Sequence, residues 1–345
     1  MSLTITLQPS GRQYTAGRDE TLLNAAIRAG IGLPYGCRDG ACGSCKTRLV
    51  EGRVVHGAHQ EKALSAAEEA AGLVLTCCAA PQTDCVLEAR NVAAEGQFPV
   101  LKMPVRVLSL DKPAPDVAIV RLQLPATQNF QFHAGQYVDV LLPGNARRSY
   151  SMAVAPAHLG TPAAIELHIR HMPGGLFTDQ VFGKLKEKDI LRLEGPFGSF
   201  YLRDEEADRQ RPIVLLASGT GFAPIKALIE HMRAQGIVHR PTTLYWGARR
   251  PADLYLHEWA EQAAAELPWL RYVPVLSEVT AEDGWPGRTG FVHRAVLADL
   301  PDLSAHEVYA CGVPIMVESA RRDFVSQAGL PEEAFYADAF TSEAD

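Results

Sequence analysis

Cys37, Cys42 and Cys45 are separated by four residues and then two, and Leu75-Thr76-Cys77 brings a further cysteine thirty-two positions later. Thiolates spaced C-x4-C-x2-C…C form the ligand set of a two-iron, two-sulfide cluster, three from one loop and one from a distant segment. Gly36, Gly40 and Gly43 crowd the loop. Glycine permits left-handed and close-approach backbone, so amide N–H groups can turn toward cluster sulfurs. One-electron transfer is the chemistry of such a site. The competing reading is structural zinc, since Cys42 and Cys45 alone make a C-x2-C pair, but zinc sites usually join two short knuckles. Cys78 adjoins Cys77 and only one of the two can be a ligand; Cys85 and the other read as packed thiols.

Two more constellations lie downstream. In Arg148-Ser149-Tyr150-Ser151, strand alternation puts Arg148 and Tyr150 on one face and the serines on the other. A cationic fork beside a flat aromatic suits a ligand that joins a pyrophosphate to a ring system. Gly174-Gly175-Leu176-Phe177-Thr178 then opens a helix, where unpaired N–H groups bind phosphate, and Glu194-Gly195-Pro196-Phe197-Gly198 follows. The apolar run Ile213–Ala217 leads into Ser218-Gly219-Thr220-Gly221-Phe222-Ala223-Pro224. Strand, glycine turn and helix in that order make a dinucleotide crevice, and Pro224 suits the first helical turn. The third glycine of G-x-G-x-x-G is absent. Tyr245-Trp246-Gly247-Ala248-Arg249 and Tyr309-Ala310-Cys311-Gly312-Val313-Pro314 also place glycine where a strand hands over to a loop.

The elements that must carry these residues change along the chain. Residues 2–8 and 12–16 read as a hairpin around Pro9-Ser10-Gly11, and Thr21–Ala29 as a helix with Leu22, Leu23, Ala26 and Ile27 on one face and Gly30 as its stop. A strand at Lys46–Val50 follows the cysteine loop. Asn91–Pro99 has no period. From Met103 short strands recur at Val105–Leu110, Val117–Leu124, Gln136–Leu141, Ser149–Ala153, Ile165–Ile169 and Ile190–Glu194, the rhythm of an antiparallel barrel. From Pro212 strands alternate with helices, Ile225–Met232 and Leu254–Ala265 among them, as in a parallel sheet wrapped by helices. The expected organisation is a domain over 1–92, a linker at 93–101, a barrel over 102–208 and an α/β domain over 209–345.

Bulk properties narrow the function. The composition is 47% hydrophobic and 21% charged, ordinary for a globular protein, and no apolar run is long enough to span a membrane. A net charge of −7 argues against a nucleic-acid partner. Residues 1–90 hold nine Lys/Arg and nine Asp/Glu, so this part is neutral and gives no long-range steering. The N-terminus alternates like a strand and has no signal-peptide pattern, and seven cysteines suit a reducing compartment, so the expected location is the cytoplasm.

The cysteine pattern resembles the plant-type ferredoxins over about the first 90 residues, which implies a β-grasp fold. Their form Leu-Thr-Cys-x-Ala-x-Pro matches Leu75–Pro81 and implies Cys37, Cys42, Cys45 and Cys77 as cluster ligands. Residues from 103 to about 340 resemble the ferredoxin–NADP reductase superfamily, including its G-x-G-x-A-P turn. That resemblance implies FAD and a nicotinamide coenzyme. Arg148 would meet the FAD pyrophosphate, Tyr150 would stack on the flavin with Ser149 beside it, and Ser151 would sit near flavin N5. His168, Ile169 and Arg170 would contact the ring or phosphate, and Gly174, Gly175 and Thr178 would cap the pyrophosphate. Gly219, Thr220, Gly221, Pro224, Arg249 and Gly312 would hold the coenzyme, and Cys311 would help set nicotinamide C4 over flavin N5. Asp338 and Phe340 would lie near the flavin. For His168 an ordinary strand role, for Cys311 simple packing, and for Asp338 and Phe340 a strand closing the sheet remain alternatives; His171 reads as surface or turn. Relatives specific for NADPH carry Ser-Arg after the third strand, where this chain has Ser277-Glu278; a carboxylate there repels a 2′-phosphate and implies NADH, with Arg249 and Arg250 leaving NADPH as the alternative.

The domain order resembles the reductases of bacterial multicomponent oxygenases. The run Phe177–Phe200 resembles the CDP-6-deoxy-3,4-glucoseen reductase group in particular. The implied activity is transfer from NADH through FAD and a [2Fe–2S] cluster to an electron-accepting protein, a dehydrase or an oxygenase component. A free flavin or ferric reductase would not need the cysteine domain. A cluster-based redox sensor would need an output module, and no segment reads as one.

Overall fold

The computed structural model describes residues 2–89, 98–203 and 210–340. Most of the expected linker at 93–101 and the boundary at 208–209 lie outside them. The chain divides into two compact units, one built from residues up to Phe98 and those from Asp338 onward, the other from Pro99–Ala337.

In the first unit β1 (Ser2–Gln8) and β2 (Gln13–Gly17) form the expected antiparallel hairpin, and α1 (Leu22–Arg28) follows. Thr21 caps α1, its hydroxyl accepting from Asn24 N–H at 3.2 Å, and Gly30 at φ +70° closes it. The buried face is Leu22, Leu23, Ala25 and Ala26, three of them as expected, with Ala25 buried and Ile27 half-buried at its edge. Then come β3 (Lys46–Glu51), β4 (Val54–His56), α2 (Ala66–Ala70), β5 (Leu73–Leu75), β6 (Ala79–Pro81) and β7 (Cys85–Glu88). The main sheet runs β2-β1-β7-β3-β5, with β1 and β7 parallel. This is the β-grasp arrangement, its core formed by Ile5, Leu7, Leu22, Leu23, Leu75 and Leu87.

The second unit begins with β8 (Leu101–Ala114), β9 (Val117–Gln123), β10 (Tyr137–Leu141), β11 (Arg147–Ser151), β12 (Ala164–Arg170), α3 (Thr178–Gly183) and β13 (Ile190–Phe197). These six strands order as β11-β10-β13-β8-β9-β12. The two outer strands meet through a Met152–Leu167 bridge and a bond from Ala153 N–H to Glu166 O at 2.8 Å, which closes the barrel. Alternate residues point inward: Val105, Val107, Val120, Leu122, Val138, Val140, Ile165, Leu167 and Ile169 share one core.

The chain continues through β14 (Ile213–Ser218), α4 (Phe222–Gln235), β15 (Thr242–Ala248), α5 (His257–Glu266), β16 (Leu270–Leu276), β17 (Arg288–Thr289), α6 (Val292–Asp299), β18 (Glu307–Gly312), α7 (Pro314–Ala328) and β19 (Phe335–Ala339). The sheet runs β17-β16-β15-β14-β18-β19, with β14 parallel to both neighbours. The chain builds outward from β14 on one side and then returns to build on the other. The carboxyl ends of β14 and β18 therefore flank a topological switch point, where α/β sheets open a ligand crevice. Buried on both faces, β14 reads as the continuous apolar run Ile-Val-Leu-Leu-Ala. Helix α4 is buried from Phe222 through Ile229, Lys226 included. One amphipathic face would not account for that burial; α4 also receives the barrel, through Ala153 and Ala155.

Candidate functional site

The cysteine loop holds its thiols as two pairs. Cys45 Sγ and Cys77 Sγ are 3.2 Å apart, while Cys37 and Cys42 each donate a backbone N–H to the other's sulfur at 3.4 Å. Ser44 N–H also points at Cys42 Sγ, at 3.5 Å. Gly40, at φ +79°, lies where a Cβ would stand 2.7 Å from Cys78 Sγ and 2.8 Å from His59 Cβ, so the loop closes only around glycine. Hydrogen bonding from Cys37 lowers the Cys42 pKa to about 6, and the same pairing, with burial, raises that of Cys37. Paired thiols and inward amides fit a two-iron cluster, which Cys37, Cys42, Cys45 and Cys77 would hold. Cys78 Sγ lies 3.5 Å from Cys77 Sγ, and Cys85 is buried with its thiol on Thr83 O at 3.3 Å.

On β11, Arg148 and Tyr150 pair with Val140 and Val138 and share their face, as alternation requires. Ser149 faces the other way and donates to buried Asp139 at 2.7 Å; Ser151 is buried. The Tyr150 ring packs against Phe177 with centroids 5.5 Å apart, which brings the Arg148–Tyr150 face beside the Gly174–Thr178 loop. A cation, a ring and a glycine loop on one side of the barrel fit a flavin dinucleotide. The loop is also internally bonded: Gly174 N–H donates to Asp179 Oδ2 at 3.1 Å, and Thr178 Oγ1 donates to Met172 O at 2.8 Å. Helix α3 is a short six residues, so its dipole is weak and the cap rests on loop amides. His171, expected at the surface or in a turn, is partly exposed, stacks on Phe182 and bonds Asp179 at 2.9 Å.

Strand β12 sends its flavin candidates in different directions. Ile169 is in the barrel core, which leaves its backbone alone for a ligand. His168 is buried between Glu166 and Tyr255. Burial lowers the His168 pKa against the opposing pull of Glu166, so the ring is neutral. Arg170 reaches the nicotinamide side: a Cβ on Gly219 would lie 3.3 Å from its Nη1. Arg170 Nε lies 3.3 Å from Asp116 Oδ2 without hydrogen-bond alignment, and Nε and Nη2 are buried with no hydrogen-bond partner. A half-buried guanidinium with two unused donors beside a glycine turn fits a phosphate-bearing coenzyme.

At the switch point Gly219–Gly221 and Cys311–Gly312 interlock. A Cβ on Gly221 would stand 2.2 Å from Cys311 O, and one on Gly312, at φ +139°, 2.1 Å from Ser218 Oγ. Thr220 and Cys311 are buried, and Pro224 lies in the first turn of α4. Beneath the turn, Trp246 stacks on Phe222 at 3.9 Å and donates to Gly219 O at 3.1 Å. At the rim, Ser277 and Glu278 donate backbone N–H to Ala248 and Arg249 carbonyls at 3.0 and 2.9 Å. Asp338 is buried on β19, and half-buried Phe340 follows it. Sequence reasoning missed Trp246, Phe222, Lys226 and Tyr255 as site-supporting residues. None of the four carries a local signal, since each contact joins residues far apart in sequence.

Comparison with known proteins agrees with this layout. Residues 5–82 match the 2Fe-2S iron-sulfur cluster binding domain, 104–201 the oxidoreductase FAD-binding domain and 215–322 the oxidoreductase NAD-binding domain. The chain is 40% identical over 340 residues, 99% of each chain, to the CDP-6-deoxy-L-threo-D-glycero-4-hexulose-3-dehydrase reductase of Yersinia pseudotuberculosis. It is 35% identical over 350 residues, covering 100% of this chain and 96% of the relative, to the phenol hydroxylase P5 protein of Acinetobacter pittii. Among solved structures, an Amycolatopsis cytochrome P450 reductase matches with TM-score 0.79 and 32% identity over 99% of both chains. No helix among the described residues is long and apolar enough to cross a membrane. With thiol pairs, flavin face and coenzyme turn all carried by the matching domains, the chain belongs to the family of iron–sulfur flavoprotein reductases, which pass electrons from a nicotinamide coenzyme through FAD and a [2Fe–2S] cluster to a partner protein.

Proposed function

We propose that this reductase draws electrons from NADH in preference to NADPH and delivers them to a dehydrase that acts on a nucleotide-linked deoxyhexulose. When bound, FAD takes an electron pair as hydride and returns electrons singly, and the cluster carries one at a time. The chain's residues orient those groups. Arg148 would neutralise the FAD pyrophosphate, with Gly174, Gly175 and Thr178 closing over it. Tyr150 would cover the ring, with Ser151 on the neighbouring backbone. Gly219, Thr220, Gly221 and Pro224 would receive the coenzyme phosphates, and Cys311-Gly312 would limit how deeply the nicotinamide enters.

The coenzyme half rests on the rim. Glu278 is bonded through its backbone to Arg249, whose guanidinium is drawn to Asp253 at 3.7 Å. A 2′-phosphate arriving there meets Glu278 and Asp253 as well as Arg249 and Arg250, so the rim gives a dianion little net attraction. The measurement is kcat/KM for both coenzymes: a ratio favouring NADH is expected, and one favouring NADPH refutes the charge argument.

The acceptor half is carried by the full-length 40% identity to a hexulose-dehydrase reductase, against 35% to an oxygenase component. The test is NADH-driven turnover with a purified dehydrase of that class and, in parallel, a phenol hydroxylase oxygenase. Turnover of the dehydrase alone is expected; turnover of the oxygenase alone supports the second reading, an oxygenase reductase. Cytoplasmic residence is part of the same proposal, since cluster thiols and NADH both belong to a reducing compartment.

A further inference from the structure

Between the barrel and α4 lies a chain of buried polar groups that the electron path does not use. Lys226 Nζ sits 2.7 Å from Glu230 Oε1 and 3.2 Å from Glu166 Oε1, and donates to Ala153 O at 2.9 Å. Ala155 N–H donates to Glu230 Oε2 at 3.0 Å. Glu166 Oε1 lies 3.0 Å from His168 Nε2, and His168 Nδ1 lies 2.8 Å from the Tyr255 hydroxyl. Burial raises the Tyr255 pKa well above its ordinary value, so it stays a phenol. Burial alone would raise Glu166, but His168 and Lys226 outweigh it and bring the carboxyl to about 2. The tautomer follows: Tyr255 O–H donates to Nδ1, and Nε2–H donates to carboxylate Glu166.

The far end of this chain reaches the coenzyme turn. Tyr255 meets Trp246 edge-on at 5.3 Å and Phe222 at 6.4 Å, and Trp246 holds Gly219 O. Arg170 and Cys311 are close enough to bear on Tyr255's ionisation. Two layers of one compact unit are thus joined by directional bonds from the wall of the flavin barrel to Tyr255, and by ring contacts from Tyr255 to Trp246, which holds the first glycine of the turn. A plain apolar contact would bury as much area, yet it would let the layers slide. Directional bonds with charged partners fix their relative angle.

We propose that Glu166, His168, Lys226, Glu230 and Tyr255 are positioning residues for hydride transfer, setting the Gly219–Gly221 turn at the distance from the barrel that brings nicotinamide C4 to flavin N5. The inference rests on the family's hydride transfer, not on the choice of coenzyme or acceptor.

Tyr255→Phe in the full-length holoprotein tests it most gently, because the ring and its edge contacts remain while the bond to His168 goes. Anaerobic single-turnover mixing with NADH gives the limiting rate of flavin bleaching and the NADH Kd. The long-wavelength absorbance of the nicotinamide–flavin complex reports stacking directly. Loss of one directional bond is expected to lower the limiting rate about five- to tenfold and weaken the long-wavelength band. The NADH Kd should stay within about twofold and FAD content should not change. Lys226→Met, which strands two carboxylates, should lower the rate further, and Lys226→Arg should recover part of it; if Lys226→Met does not fold, Tyr255→Phe decides alone. An unchanged limiting rate and band in Tyr255→Phe, with or without lower thermal stability, overturns the proposal. So does a rate loss matched by FAD loss, because the network would then hold the flavin and not the angle.

Discussion

Gly221→Ala separates the coenzyme turn's geometry from everything else the protein does. Gly221 has φ −58° and ψ −12°, so alanine takes up the backbone without strain, and its propensity favours helix by about 0.4–1 kcal/mol. The added Cβ, however, stands 2.2 Å from Cys311 O, 2.5 Å from its carbonyl carbon and 2.7 Å from Gly312 Cα. These are backbone atoms, and no rotamer change relieves them. Ordinary contact requires the turn and the end of β18 to part by about 1 Å, at a stability cost of about 1–3 kcal/mol. A reacting centre displaced that far loses on the order of a hundredfold in rate, about 2.7 kcal/mol at 1.36 kcal/mol per tenfold. The assay is the limiting rate of flavin reduction by NADH in stopped flow, with FAD and iron content measured on the same sample. A hundredfold fall with both contents intact is expected. A rate within threefold of the parent would refute the view that this interlock sets the coenzyme.

Three other outcomes follow from the same structure. Glu307 and Arg240 are a fully buried ion pair 2.8 Å apart, with Tyr309 O–H also on Glu307 at 2.9 Å; Glu307→Ala, which leaves Arg240 stranded, should cost about 3–5 kcal/mol in chemical denaturation, and a loss under 1 kcal/mol would contradict this. His168 has a depressed pKa, so the stability from keeping it neutral is complete above the unfolded value near 6.5 and drains as pH falls through the folded one. The unfolding free energy in chemical denaturation should therefore fall as pH drops below about 6.5, and His168→Gln should make that fall shallower; equal pH dependence in the two proteins would rule this out. Cys78→Ser should keep a normal cluster spectrum and Cys77→Ser should lose it, since Cys77 lies 3.2 Å from Cys45; the reverse pattern would reassign the ligand.

The architecture was legible wherever local chemistry fixed it. The cysteine spacing needs a single loop, Thr21 and Gly30 bound α1, and the apolar run at Ile213 is what a doubly covered strand requires. Boundaries failed where tertiary bonds decide them. β8, expected at Val105–Leu110, runs from Leu101 to Ala114 and bends at two register shifts, between Val107 and Ser109 and between Asp111 and Ala114. No residue pattern marks those bulges. β17 is a two-residue edge, too short for any period. The turn glycines and the Arg148–Tyr150 face were readable because each depends on neighbours in sequence. The Glu166–His168–Tyr255 and Lys226 bonds were not, because His168 and Tyr255 are 87 positions apart and their pairing exists only after two layers dock.

The central claim is that one polypeptide carries electrons from coenzyme through flavin to iron. Anaerobic addition of NADH to the purified holoprotein, followed by freezing and electron paramagnetic resonance, tests it directly. The account predicts that the flavin bleaches and that the signal of a singly reduced [2Fe–2S] cluster then appears at the intensity dithionite gives. Bleaching with no cluster signal, in a sample whose cluster dithionite does reduce, would contradict it.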